Sequence, residues 1–129
     1  EMAVHKFTRL IDEGKDVPVY GDGSSMRDYT YIDDVVEAVL SCIDKIGGGV
    51  NIINIGNSHP VKLIDLIRYI EEAIGKKAKI VNYPEQKGDV KITYADIRKA
   101  ERLIGFKPKV SLQEGLKRFI KWYNEIYHS

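Results

Sequence analysis

The chain has 129 residues, 43% hydrophobic and 30% charged. That is enough for one domain with one core and too little for two ordinary ones. No stretch approaches the ~18 uninterrupted apolar residues of a membrane span, and the hydrophobic content with eight tyrosines excludes a disordered tail. Twenty basic against nineteen acidic side chains leave a net charge of +1, so bulk charge points to neither nucleic acid nor an anionic membrane.

Helical spacing is present from the first residues: Ala3, Phe7, Leu10 and Ile11 share one face, and Gly14 stops the helix. No cap precedes it. Residues 17–20 read as a short strand ending in the turn Gly21-Asp22-Gly23, and residues 29–32 as a brief extended piece. Asp33 and Asp34 offer N-cap carboxylates, with Glu37 placed to complete a capping box from Asp34. The helix they open carries Val36, Val39, Leu40 and Ile43 on one side and ends before Gly47-Gly48-Gly49. Residues 50–55 are apolar and β-branched, as in a strand covered on both faces. Leu63, Leu66, Ile67, Ile70 and Ile74 form the cleanest helical stripe, closed by Gly75. Residues 78–81 read as a strand, and residues 84–95 carry no helical period. Asp96 is placed to cap a short helix running to Gly105, and Ser111 with Glu114 forms a capping box before Leu112, Leu116, Phe119, Ile120 and Tyr123. Helices alternating with short strands give an α/β class.

Cys42 is the only cysteine, which excludes an intramolecular disulfide framework and a multi-thiolate zinc site. With no export leader in view, a reducing cytoplasm is expected. His5, His59 and His128 lack metal-ligand spacing and read as surface residues, so no metal site is expected. Tyr83-x-x-x-Lys87 has the spacing of a dehydrogenase tyrosine–lysine pair, but that pair works only on a helix, and Pro84 and Gly88 argue for a loop. The three glycines at 47–49 follow a helix and precede an extended run, the wrong order for a phosphate loop. The basic residues Lys107, Lys109, Lys117, Arg118 and Lys121 read as a solvated helix face. No catalytic constellation is visible.

The informative stretch is Tyr20-Gly21-Asp22-Gly23 followed by Met26-Arg27-Asp28-Tyr29-Thr30-Tyr31-Ile32-Asp33-Asp34. A strand leads into a glycine turn, then a lone arginine, whose planar fork suits phosphate as well as it suits a neighbouring carboxylate. With Asn54-Ile55-Gly56, Gln86-x-Gly88-Asp89-Val90, Thr93, Ala95-Asp96 and Trp122-Tyr123, this order resembles the C-terminal part of the extended short-chain dehydrogenase/reductases. The resemblance is to their NAD-dependent sugar-nucleotide epimerases and dehydratases, nearest to the UDP-glucuronate 4-epimerases.

The resemblance implies a C-terminal, substrate-binding portion made of short strands and several helices, one region over residues 1–129, with the N-terminal Rossmann NAD domain missing. It implies that Tyr20 marks the turn holding uracil through main-chain atoms, that Arg27 holds the diphosphate, and that Asp89 accepts bonds from the uridine ribose. Gln86 stands where galactose-type members carry arginine, as in glucuronate-type members, and Thr93 falls near the sugar. The parent's chemistry would be a transient oxidation at C4, with NAD and a catalytic tyrosine supplied by the missing half. This chain would contribute no catalytic residue, bind no cofactor itself and lack activity alone. A homodimeric parent is implied, and the surface meant for the NAD domain, chiefly the helix with Val36 and the 50–55 segment, is expected to be exposed and to favour self-association. Other readings are a dehydratase, decarboxylase or UDP-glucose 4-epimerase portion, or a stand-alone cofactor-free binding module.

Overall fold

The computed structural model describes residues 2–129. Within them lie α1 (Ala3–Asp12), β1 (Asp16–Tyr20), β2 (Met26–Arg27), α2 (Ile32–Lys45), β3 (Val61–Lys62), α3 (Leu63–Ile74), β4 (Lys79–Tyr83), α4 (Arg98–Ile104) and α5 (Leu112–Tyr127). The α/β class is as the sequence indicates, and the strands form two separate two-stranded sheets.

In the first sheet β1 and β4 run parallel, in register from Asp16 opposite Lys79 to Tyr20 opposite Tyr83. The stripe of α3 crosses between them and buries Leu66, Ile67 and Ile70 against Val17 and Val19 of β1, Phe7 and Ile11 of α1, and Leu116 of α5. Gly75 ends α3 in the left-handed conformation, φ +75°, which a residue with a β-carbon adopts only under strain. In the second sheet β2 pairs antiparallel with β3, Arg27 opposite Val61. Met26 also bridges to Ile92 on its other side, so the arginine's strand is held from both flanks. A second apolar cluster gathers Ala38 of α2, Ala100 and Ile104 of α4, and Phe106.

Several expectations are corrected. Residues 50–55 form no strand: Val50 and Ile52 are 94% and 79% exposed, and only Ile53 and Ile55 touch the second cluster. A β-branched run becomes a strand only where a neighbour offers a ladder, and none of the described residues does. Asp33 and Asp34 do not cap α2, whose N-cap is Tyr31 with no side-chain bond. Asp34 is buried and instead accepts the N–H groups of Lys109 and Val110, while Glu37 pairs with the Lys109 ammonium. At α5 Ser111 does accept the Glu114 N–H, but the Glu114 carboxylate turns to Arg118, leaving half a box. Asp96 sits one residue before the N-cap of α4 and still accepts the Arg98 N–H. His5 is half-buried among the rings of Phe119, Trp122, Tyr123 and Tyr127, not a bare surface histidine. The α2 face behaves as anticipated, with Val36, Val39, Leu40 and Ile43 all exposed.

Candidate functional site

The site is built around β2. The Met26 N–H donates to the Lys91 carbonyl at 2.7 Å and the Thr93 N–H to the Met26 carbonyl at 3.2 Å, which lays residues 91–93 along the strand carrying Arg27. The loop into β2 is shaped by Asp22, whose carboxylate accepts the Ser24 hydroxyl and N–H. Those bonds hold the Asp22 carboxyl below its ordinary range.

Arg27 is anchored at both ends of its fork. One terminal nitrogen donates to the Met26 carbonyl at 2.8 Å and the other to Asp89 Oδ1 at 2.7 Å. Both partners of this ion pair are partly open to solvent, at 33% and 40% side-chain exposure. Beside it lies a cleft of about 260 Å³ lined by Arg27, Asp28, Thr30, Gly56, Thr93 and Tyr94, among others. Burial pushes the nearby Tyr29 hydroxyl above its ordinary pKa, although the Arg27 charge works the other way.

Asp28 holds the cleft's walls together. Its Oδ2 accepts the Ser58 and Ala95 N–H groups at 2.8 and 3.1 Å, and its Oδ1 the Asn57 N–H at 3.2 Å. Segments distant in sequence are thereby tied to one carboxylate. Gly56 sits in the angle between them, where a β-carbon would lie 2.5 Å from Ala95 Cβ and 2.8 Å from Asp28 Oδ2. Only glycine fits that approach.

Of the residues singled out from sequence, Arg27, Asp89 and Thr93 come together here. Tyr20 closes β1 away from the cleft lining, its ring 5.5 Å from that of Tyr83 across the register. The Gly21 N–H beyond it donates to the Tyr83 carbonyl at 2.9 Å, and Asn82 donates to the Gly21 carbonyl. Gln86 is exposed on the turn that leads to Asp89, accepting the Asp89 N–H through its main-chain carbonyl. Asp28 and Gly56 were not singled out. Both stand inside motifs that carry the resemblance, which is the signal that marks them.

Neither dinucleotide decoy has the geometry it would need. The glycines at 47–49 stand in open space after the C-terminus of α2, so they present no helix N-terminal amides to a pyrophosphate. Tyr83 is the last residue of β4 and Lys87 lies in the following turn, not one helical turn above it. These residues do not fit NAD.

Residues 1–119 match the family described as GDP-mannose 4,6 dehydratase. The chain belongs to that family. An uncharacterized protein of Methanocaldococcus jannaschii is 50% identical over 125 residues, 97% of this chain and 38% of that protein. The UDP-glucuronate 4-epimerase of Thermodesulfobacterium geofontis is 39% identical over 126 residues, with the same two coverages, 97% and 38%. Among solved structures, the UDP-glucuronic acid 4-epimerase of Bacillus cereus in complex with UDP-glucuronic acid and NAD superposes with a TM-score of 0.89 at 32% identity, over 98% of this chain and 41% of that one. The UDP-glucose 4-epimerase of Thermotoga maritima with UDP-glucose gives 0.87 at 36%, over 95% and 39%. The chain therefore spans about two fifths of the length of these relatives. Its fold is that of the C-terminal part of the extended short-chain dehydrogenase/reductase epimerases. Among the described residues, no helix is long and apolar enough to cross a membrane, and no cluster of histidine, cysteine and carboxylate side chains could hold a metal ion.

Proposed function

We propose that residues 1–129 form one substrate-binding region of an NAD-dependent nucleotide-sugar 4-epimerase of the cytoplasm, acting on UDP-glucuronate. In this reading Arg27 binds the diphosphate, Asp89 the uridine ribose and the main chain at Tyr20 the uracil. Gln86 adds a neutral amide beside phosphate or ribose, and Thr93 faces the hexose. The observation that carries the reading is the Arg27–Asp89 pair at 2.7 Å on the rim of the Thr93 cleft. It sets a cation for phosphate beside a carboxylate for hydroxyls, the complement of a nucleoside diphosphate. The complex of the Bacillus cereus relative with UDP-glucuronic acid and NAD supports the same substrate class.

The role of this region is to grip the nucleotide while the sugar turns, which is positioning and not proton transfer. NAD supplies the transient oxidation in the parent, and the residues that work with it belong to the part of the relatives that this chain does not span. The region alone is inactive as an epimerase. The exposed face of α2 is covered in the parent, a homodimer, by that remaining part of the chain. In isolation the same face drives self-association.

Calorimetric titration with UDP, with ADP as control, tests the assignment. UDP binding even at about millimolar Kd, ~4 kcal/mol, that is selective over ADP and lost in Arg27→Ala and Asp89→Ala is the expected result. Binding unchanged in both variants would remove these residues from the site.

A further inference from the structure

We infer that Asp89 acts as a selectivity gate on Arg27, admitting anions that carry hydroxyl donors, such as a nucleoside diphosphate, and turning away bare anions. The inference deepens the proposed function and rests on its reading of Arg27 as the phosphate ligand. Its ground is that two of the arginine's five N–H donors are already committed, one of them to a carboxylate. One terminal nitrogen is held by the Met26 carbonyl and the other by Asp89 Oδ1, so the Arg27 charge is met on its open side by a carboxylate. The second oxygen of Asp89 accepts no hydrogen bond among the described residues. Asp89 stands on a turn, its N–H bonded to the Gln86 carbonyl, two residues before Lys91, whose carbonyl accepts the Met26 N–H of the strand that carries Arg27.

An inorganic anion reaching Arg27 meets Asp89 at close range. It either suffers the repulsion of two negative groups or displaces the carboxylate and leaves it unpaired. Fully ionised, it has no proton to offer in return; near neutral pH pyrophosphate retains a P–OH, still fewer donors than the two hydroxyls of a ribose. A nucleotide brings ribose hydroxyls that donate to Asp89 while its phosphates take the arginine's remaining N–H donors. Both charged groups then keep a partner. The gate thus needs no moving lid, only a carboxylate that must be given donors before its cation is released. A cation without such a neighbour would bind any phosphate the solution offered.

The test uses inorganic pyrophosphate and UDP, titrated separately into the 129-residue chain and its variants. Wild type should bind UDP more tightly than pyrophosphate. Asp89→Ala and Asp89→Asn should each bind pyrophosphate about tenfold more tightly than wild type, the order expected from relieving a close like-charge contact. UDP affinity should fall in Asp89→Ala, so that one substitution moves the two ligands in opposite directions. Glu85→Gln removes the same charge from the same loop, where the Glu85 side chain lies against Gly21 and makes no bond to Arg27. It should change pyrophosphate affinity by less than about twofold, since exposed charges without contact are screened. The gate is overturned if neither Asp89 variant gains pyrophosphate binding, or if Glu85→Gln gains as much. Pyrophosphate gained by the Asp89 variants without any UDP binding in wild type would sustain only the exclusion of bare anions, and would overturn both the admission of nucleotides and the substrate assignment. UDP binding with no pyrophosphate gain would do the reverse.

Discussion

Asp28 offers the sharpest test of how the candidate site is held open. Replacing it with alanine removes three hydrogen bonds at once and leaves the N–H groups of Asn57, Ser58 and Ala95 without their acceptor. At about 1 kcal/mol for each half-buried bond, the loss comes to about 3 kcal/mol. The substitution Asp28→Asn is milder in a specific way. The carbonyl oxygen of the new amide can take over from Oδ2 and keep Ser58 and Ala95, while its NH2 group turns a donor toward the Asn57 N–H. One bond is lost and two are weakened, for about 1.5 kcal/mol. For a chain of this length 1 kcal/mol shifts Tm by roughly 3–5 °C, so Asp28→Ala should melt about 10–15 °C below wild type and Asp28→Asn about half as far. Urea denaturation at constant m gives the free energies directly. Gly56→Ala strikes the same junction from the other side, forcing Ala95 and Asp28 apart, and should cost about 2 kcal/mol. Combined with Asp28→Ala it should fall short of additivity, because both break one contact. Two Asp28 variants within about 0.5 kcal/mol of wild type would refute the account. Equal losses for alanine and asparagine would show that charge matters there and bond geometry does not.

Two further predictions concern the periphery. Asp12 joins the end of α1 to Lys76 and to His128, at 2.6 Å each. Burial works to raise its pKa, but those two hydrogen bonds win, and the folded value lies below the ordinary 3.8. A depressed carboxylate stabilises fully above its unfolded pKa and loses that contribution as pH falls through the folded value. Asp12→Asn should therefore melt below wild type near neutral pH, with the gap closing below about pH 3.8; a gap that persists or widens in acid would contradict the network. The exposed Val36, Val39, Leu40 and Ile43 face of α2 should make sedimentation of the isolated chain concentration-dependent, and Leu40→Lys with Ile43→Lys should abolish the effect. A wild-type chain that sediments as one monomeric species at every concentration removes self-association from the picture.

The parts of the fold legible in the sequence are those set by local pattern. The α3 stripe, the Gly75 stop and the Ser111 cap need only near neighbours, and each stands where the spacing puts it. β2 and β3 are two residues long and exist because Arg27 meets Val61 across the chain, a pairing with no period to read. The 50–55 run carries strand composition without a strand, because composition supplies side chains but no partner edge. At the site, Arg27 could be picked out as a lone cation after a glycine turn. Its pairing with Asp89, 62 residues away, could not.

The two misassigned aspartates share a cause that also explains how so little sheet supports a formed cleft. Asp33 and Asp34 stand in the first turn of α2, and an aspartate at a helix start reads as a cap because the local pattern shows no other donor for it. Asp34 instead serves the loop at Lys109 and Val110, as Asp28 serves the loops at Asn57, Ser58 and Ala95, and Glu71 the Ala78 N–H before β4. In each case a half-buried or buried carboxylate accepts main-chain N–H groups that have no strand ladder to join. Buried N–H groups must find acceptors, and a chain whose sheets have two strands each cannot supply them all from its backbone. Carboxylates make up the difference. They are negative, however, and such charge close to a phosphate site would work against the ligand. Saturating Asp28, which lines the cleft, with N–H donors offsets its charge, whereas the second oxygen of Asp89 accepts no hydrogen bond among the described residues. Under the proposed function, that difference fits Asp28 to hold the cleft together and Asp89 to meet the nucleotide.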